Sequence, residues 1–349
     1  MSTAATVETS DSVKNSLRQY FVASLPAAFV GVWNLGDRLQ EESAEAAGIW
    51  QLGLFDSLQL SSGAADNLLV SVALGASFFL PLLITVSVTS RAWAEIFSRT
   101  RGRGVDPGWF LSAWLYVLLL PATVPLYYAA LGFSFGAVFG CYVFGGTGRY
   151  IVNPALLGVA FLSISYPDLF AQNHWLPGSD ALSSWKLVAT EGIEAAATGG
   201  TSWTALFLGR EIGALGTSSA LAALLGASYL IARRVASAGI VAGALVGILL
   251  TGELFGEIPS LWHLALGNFA FVLAFIATDR TTQPFTTVGC WAYGVLFGVL
   301  IVILRVGDPA RPEATVSALL LASLCVPLID HIAHATPLGA RAPQDVRHE

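Results

Sequence analysis

Apolar residues run through this chain in stretches long enough to cross a lipid bilayer. A membrane helix needs about 20 mostly apolar residues. The pattern predicts ten such spans: Leu17–Leu35, Asp66–Val88, Trp109–Tyr128, Ala130–Phe144, Ile151–Tyr166, Thr217–Ala232, Gly239–Phe255, Leu261–Thr278, Gly289–Leu304 and Thr315–Ala333. The fourth and fifth are short, and glycines separate them. They are therefore expected to be tilted or broken, or to leave irregular backbone that is buried in protein or lines a cavity.

The composition also indicates a membrane protein. Of the 349 residues, 55% are hydrophobic and only 11% are charged, whereas a soluble domain has about 25% charged residues. The 35 glycines also fit membrane helices, in which Gly is more frequent than in soluble ones. We therefore predict an all-α, polytopic integral membrane protein in a lipid bilayer. A net charge of −6 without a basic stripe excludes a nucleic-acid partner.

The Lys and Arg residues predict the orientation, because cytoplasmic loops are enriched in them. With the N-terminus in the cytoplasm, twelve Lys and Arg residues fall inside and five outside. This places the protein in a bacterial-type cytoplasmic membrane, with both termini cytoplasmic. Residues 1–13 form an N-terminal tail, residues 14–334 a single membrane domain with an outer loop at 167–216, and residues 335–349 a C-terminal tail.

Short echoes in the sequence predict an internal repeat of two halves. Leu74-Gly-Ala-Ser-Phe78 in the second span is echoed by Leu225-Gly-Ala-Ser-Tyr229 in the sixth. Leu131-Gly132 with Arg149 and Pro154 is echoed, loosely, by Leu266-Gly267 with Arg280 and Pro284. Duplicated halves around a central site are common in membrane transport proteins.

Ionisable side chains are rare inside the predicted spans, where they are costly and point to function. Those in the second half of the chain lie in or beside span ends, where we expect them to be solvated: Glu253, His263, Asp330, His331 and His334. No chain of such groups crosses the membrane, which argues against a self-contained proton relay. The three cysteines occur singly, so no metal site is predicted.

The loop between the fourth and fifth spans is the candidate binding site. Its glycines let the backbone turn and approach a ligand closely. Exposed backbone N–H groups and an arginine there could hold a phosphate or the polar edge of a ring. Tight turns between helices use the same residues. The candidate cofactor-binding residues are Gly145, Gly146, Thr147, Gly148, Arg149, Asn153 and Pro154.

Motifs along nearly the whole chain resemble the NqrB/RnfD family, and they are closer to NqrB than to RnfD. These proteins are membrane subunits of the Na+-translocating NADH:quinone oxidoreductase and of the Rnf complex. The similar segments include Gly132–Gly140, Val143–Arg149, Asn153–Leu156, Trp203–Gly209, Trp262–Gly267, Ala277–Asp279, Trp291–Gly294 and Pro327–His331.

This resemblance implies a ten-span fold that holds flavins and a quinone site and passes electrons. In the family, one FMN is joined through its phosphate to a threonine of the outer loop. Here Asp180 stands at that position, within Pro177-Gly-Ser-Asp-Ala-Leu-Ser183. A carboxylate cannot form the phosphoester, and its charge repels the phosphate. We therefore expect no covalent FMN, while a non-covalent flavin (riboflavin or FMN) and a quinone remain compatible with the sequence.

Three functional hypotheses follow from these observations. The first is a redox subunit that passes electrons through a flavin or a quinone site and can couple this transfer to Na+ or H+ translocation. The second is a non-redox membrane anchor or ion-conducting subunit of a related complex, and the third is a transporter of small solutes. The chain contains neither an NADH-binding fingerprint nor an iron–sulfur cysteine cluster. NADH-linked activity therefore requires NADH-flavin and iron–sulfur subunits as partners.

Overall fold

A computed structural model describes residues 2–41, 68–167, 202–209, 214–255, 259–307 and 314–335, and every regular element in these ranges is helical. In the first half the helices are α1 (Ser2–Glu41), α2 (Leu68–Arg101), α3 (Trp109–Leu119), α4 (Leu126–Phe135) and α5 (Pro154–Ser165). The second half contains α6 (Trp203–Leu208), α7 (Ala220–Ala232), α8 (Ala238–Phe255), α9 (Trp262–Ala265), α10 (Phe269–Val272), α11 (Thr287–Gly307), α12 (Ala314–Leu324) and α13 (Val326–Ala335). Two π-helical segments, Gly136–Tyr142 and Leu273–Ala277, continue α4 and α10.

Each of the ten predicted spans overlaps at least one of these helices, but their lengths differ. Among the described residues, α2, α8 and α11 are long and apolar enough to cross a membrane on their own. The pair α12 and α13 meets the same criterion as a single span bent by 43°. Helices α3, α5 and α7 are apolar but shorter. The fold is that of a polytopic membrane protein with several broken helices.

Local sequence explains where the short helices begin and end. The third predicted span stops at Leu119, because Leu120 is extended and Pro121 disfavours a helical residue before it. Helix α5 begins at Pro154, and the Asn153 side chain caps it by accepting a hydrogen bond from the Ala155 N–H at 2.9 Å. Proline at the first position of a helix needs no N–H partner. The Asn153-Pro154 pair therefore fixes the end of the glycine loop.

Helices α8 and α11 pack with their backbones nearly in contact. A Cβ added at Gly247 would lie 2.5 Å from the Val295 carbonyl oxygen, and one at Gly298 would lie 2.2 Å from the Ala244 carbonyl oxygen. Small residues at membrane helix interfaces permit this close approach. The pair therefore forms a rigid support in the second half of the chain.

The same order of features occurs in both halves and supports the predicted repeat. Each π-helical segment leads into an irregular loop that contains an arginine, Arg149 or Arg280, and then reaches a proline near the start of the next helix. Helix α3 packs against α5 as α8 packs against α11. π-Helical turns are frequent at functional sites, so the two irregular loops that follow them are candidate functional sites.

The eighth predicted span is broken between α9 and α10, and this break changes the environment of His263. The expectation of a solvated helix end is wrong for this residue, because its side chain is only 1% exposed. The buried Arg305 donates to the His263 carbonyl from Nη1 and to the Leu266 carbonyl from Nη2, both at 2.7 Å. These contacts satisfy carbonyl groups that the break leaves without helical partners.

Candidate functional site

The glycine loop after the first π-helical segment has a backbone that other residues rarely adopt. Gly145, Gly146 and Gly148 have φ values of +122°, +96° and +88°. Residues with a Cβ are disfavoured at such positive φ. The glycines thus give the loop its shape, and side chains from neighbouring segments hold it.

Asp106 anchors this loop to the segment that precedes α3. Its Oδ2 accepts a hydrogen bond from the Thr147 N–H at 2.6 Å, and its Oδ1 accepts from the Thr147 hydroxyl and from the Gly108 N–H, the latter at 2.9 Å. A Cβ at Gly146 would lie 2.4 Å from Asp106 Oδ2. The carboxylate therefore accepts three hydrogen bonds within the protein.

Four backbone N–H groups in the first part of the loop are also used within the chain. Gly145 donates to the Tyr142 carbonyl at 3.2 Å, Gly146 to the Cys141 carbonyl at 3.1 Å, and Arg149 to the Gly146 carbonyl at 3.1 Å. With the Thr147 N–H bonded to Asp106, these four groups are occupied. A ligand beside residues 145–147 would therefore be recognised mainly by side chains.

A hydrogen-bonded cluster joins the end of this loop to the corresponding loop of the second half. Asp279 Oδ2 accepts from the Tyr150 hydroxyl at 2.7 Å and from Asn153 Nδ2 at 2.8 Å. Asp279 Oδ1 accepts from the Thr281 N–H at 3.0 Å. Burial raises the pKa of the Asp279 carboxyl, and the hydrogen bonds from Thr281, Tyr150 and Asn153 oppose that rise. This position just after the eighth predicted span can therefore hold a proton more readily than an ordinary aspartate.

One face of the loop lines a largely apolar cavity of about 170 Å³. Its walls come from α1, α3, the loop 147–153 and the residues around Asp279. Leu17, Leu111, Leu115 and Phe275 supply apolar surface, while the Tyr150–Asn153–Asp279 cluster supplies polar groups. A mostly apolar pocket with a few convergent polar groups is the usual form of a small-molecule site.

The opposite face of the loop lines a polar pocket of about 210 Å³. Three arginines border it: Arg101 and Arg103 from the end of α2, and Arg149 from the loop. Asp106 is the one carboxylate among its lining residues. The Asp106–Thr147 contact lies between the two spaces, since Thr147 borders both.

The residues predicted from sequence are thus divided between two environments. Thr147, Gly148 and Asn153 line the apolar cavity, whereas Gly145, Gly146, Thr147 and Arg149 line the arginine pocket. Pro154 is buried at the start of α5. Asp180 lies outside the described residues.

Several lining residues were not singled out by sequence reasoning. Asp279 appeared only as part of a family motif, and the contribution of Ser16, Leu17 and Tyr20 on α1 had no local signal. One signal in the sequence pointed to Asp279: it directly precedes Arg280, and the loop that carries Arg280 is similar to the glycine loop that carries Arg149. Within the described ranges, no group of three or more His, Cys, Asp or Glu side chains is placed to hold a metal ion.

Broken apolar helices around a largely apolar cavity define a polytopic membrane protein. Comparison with known proteins is consistent with this class. Residues 1–339 match the model of the NQR2, RnfD, RnfE family, and the chain belongs to this family.

Curated relatives cover nearly the whole chain, and those compared here are NqrB proteins of the Na(+)-translocating NADH-quinone reductase. The NqrB protein of Azotobacter vinelandii is 35% identical, over 99% of this chain and 90% of the relative. The NqrB protein of Klebsiella pneumoniae is 37% identical, over 94% of this chain and 86% of the relative. That of Neisseria meningitidis is 36% identical, over 89% and 82%.

Proposed function

We propose that this chain is the membrane subunit of an Nqr- or Rnf-type electron-transfer complex. We further propose that its apolar cavity holds the ring of a non-covalently bound flavin or of a quinone. The observation that carries the proposal is the cavity itself, with apolar walls and the Tyr150–Asn153–Asp279 cluster at its polar side. The names of the relatives, which are NADH-quinone reductase subunits, support the same class of chemistry.

The cavity has a suitable size for a planar ring. An apolar cavity of about 150 Å³ accommodates benzene, and the space here, about 170 Å³, is large enough for a single six-membered quinone ring. A flavin has three fused rings and would have to extend out of this space, past Ser12 and Ser16 of α1, which border the cavity. The size therefore suits a quinone ring in full and a flavin ring system in part.

When bound, a flavin or quinone would accept electrons and pass them on. The protein must then compensate the negative charge that the reduced ring carries. Asp279 can hold or release a proton at its carboxyl group, because burial raises its pKa. Tyr150 and Asn153 orient this carboxyl through their hydrogen bonds to Oδ2. The apolar residues Leu111, Leu115 and Phe275 would shield such a ring from water.

The proposed setting is a bacterial cytoplasmic membrane, with both termini and the arginine-rich end of α2 on the cytoplasmic side. NADH-flavin and iron–sulfur subunits would deliver electrons, and the complex would couple their transfer to Na+ or H+ movement. Covalent FMN is expected to be absent, because Asp180 replaces the threonine that the family uses.

The test is the visible spectrum of the full chain, purified in mild detergent from cells that synthesise flavins and quinones. A flavin spectrum that bleaches with dithionite, or a co-purified quinone found by solvent extraction, supports the proposal. NADH alone should not reduce the bound group until the partner subunits are added. Protein that contains neither group, after purification in lipid as well as in detergent, would favour an anchor or a transporter instead.

A further inference from the structure

The arginine pocket on the other face of the glycine loop is a second space with different chemistry. Arg101, Arg103 and Arg149 border it, together with Ser98 and the single carboxylate of Asp106. This carboxylate is already bonded to Thr147 and Gly108. Within the described part of the chain, the ion pairs of α2 involve Arg91, Arg99 and Glu95, so none joins the three pocket arginines to a carboxylate.

Arg101 is held in place before any ligand arrives. The Arg101 guanidinium lies 5.2 Å from the centre of the Phe97 ring and donates from Nη2 to the Tyr142 carbonyl. Phe97 in turn stacks on Tyr142, with ring centres 5.1 Å apart. Side chains that are already ordered lose less entropy on binding. Arg101 is therefore a preformed wall of the pocket.

Backbone contacts fix the points at which the other two arginine side chains leave the chain. Helix α2 ends with Gly102 at φ +62°, and the Arg103 N–H donates to the Ser98 carbonyl at 3.1 Å. The Ser98 hydroxyl donates to the Arg103 carbonyl at 2.5 Å. In the loop, a Cβ on Gly145 would lie 3.0 Å from Arg149 Cδ. The absence of a side chain at Gly145 thus leaves room for Arg149.

We propose that this pocket binds a phosphate group, either as a free anion or as the headgroup of an anionic phospholipid. Guanidinium groups match the oxygens of phosphate with paired hydrogen bonds. Three guanidinium groups and only one carboxylate border this concave space, so positive charge is in excess there for an anion that accepts several hydrogen bonds. The proposal does not depend on the flavin or quinone, because Arg101, Arg103 and Arg149 are not among the residues that line the apolar cavity.

The test measures the thermal midpoint of the full chain in detergent against the concentration of two probes at constant ionic strength. The probes are inorganic phosphate and a short-chain phosphatidylglycerol, with short-chain phosphatidylcholine, which is zwitterionic and has no net charge, as the reference. A ligand that binds only the folded state raises the midpoint in a saturable way. Saturable stabilisation by phosphate alone assigns the site to a free anion, stabilisation by phosphatidylglycerol alone assigns it to lipid, and mutual competition assigns both to one site.

Variants separate this pocket from general surface charge. Arg149→Gln and Arg103→Gln should each lower the affinity for the probe by about tenfold, which is the effect of losing one charge-assisted hydrogen bond. Arg99→Gln is the matched control, because Arg99 extends from the same end of α2 but pairs with Glu95 at 3.0 Å. Two independent variants guard against one that fails to fold. Absence of saturable stabilisation by either anion, or an equal loss in Arg99→Gln, would overturn the proposal.

Discussion

Asn153, in the first half of the chain, is joined to Asp279, in the second half, through its side-chain amide. Its Nδ2 donates to Asp279 Oδ2 at 2.8 Å, while its Oδ1 accepts from the Ala155 N–H at 2.9 Å. One residue therefore both starts α5 and holds the buried carboxyl that lines the cavity. The two roles can be separated by substitution, since several residues can cap a helix but few can also donate to a carboxylate.

The variant Asn153→Asp should retain the cap and lose the contact with Asp279. Aspartate is as good a helix cap as asparagine, but its carboxylate faces that of Asp279. We expect a loss of about 1–3 kcal/mol in unfolding free energy at neutral pH from the unsatisfied buried pair. The change in thermal midpoint measures this loss, with Asn153→Ser as the uncharged control that retains a cap.

The pH dependence of that variant has a definite sign. Burial already raises the pKa of Asp279, and a second carboxylate beside it raises it further. The folded variant then binds more protons than the unfolded chain, so its stability falls as pH rises above the ordinary carboxyl range of about 4. Relative to Asn153→Ser, the variant should recover stability on acidification. A pH-independent difference between the two would contradict the assigned contact.

The close packing of α8 and α11 predicts that a larger residue between the two helices destabilises the protein. Gly298→Ala should destabilise the protein by about 1–3 kcal/mol, because the new Cβ would lie 2.2 Å from the Ala244 carbonyl oxygen and force the helices apart. Gly307→Ala is the matched control at the end of the same helix, where a Cβ meets no atom within 4 Å. Thermal midpoints of the two variants provide the comparison, and equal midpoints would show that the helices are not in backbone contact.

The predicted orientation can be tested by labelling single cysteines in intact cells. The protein needs its native cysteines replaced first, after which cysteines are introduced at Arg101 and at Ser184. A membrane-impermeant maleimide should label the site at Ser184, in the predicted outer loop, and leave the site at Arg101 protected until the cells are opened. Labelling of the Arg101 site from outside would reverse the proposed topology.

The replacement at Asp180 predicts that no flavin is attached covalently. The full chain, co-expressed with a flavinyl transferase, should give no fluorescent band on a denaturing gel, because a phosphoester requires a hydroxyl group. A family member with the threonine is the positive control for the transferase. A fluorescent band would place the flavin elsewhere, and peptide mass spectrometry would locate it, with Ser183 and Thr201 as the first sites to check.

The sequence predicted those features that depend on neighbouring residues. The glycine loop, the cap formed by Asn153-Pro154 and the apolar segments can all be identified within a short window. The Asp279 contacts could not be predicted in this way, since Asp279 lies 126 residues from Asn153 and 129 from Tyr150. The residues of α1 that border the cavity could not be predicted either. The pattern of apolar residues along a helix does not reveal which other helix its apolar face will contact.

The burial of His263 illustrates a different limit. Its place near a span end indicated solvent contact, but the helix is broken there and Arg305 bonds to the carbonyl groups of the break. A hydropathy pattern treats a broken helix as continuous and assigns the wrong depth to residues beside the break. The apolar residues of α9 and α10 gave no sign of this interruption.

The amount of flavin or quinone extracted per polypeptide from Ser16→Trp, measured beside Asn15→Trp, tests the cavity assignment most directly. Ser16 is half-buried and borders the cavity, whereas the adjacent Asn15 is exposed and does not. The tryptophan at position 16 should fill the space and reduce the bound group by at least about tenfold, while Asn15→Trp should retain the wild-type amount. Equal amounts in wild type and in both folded variants would contradict the proposal that this cavity holds the redox ring.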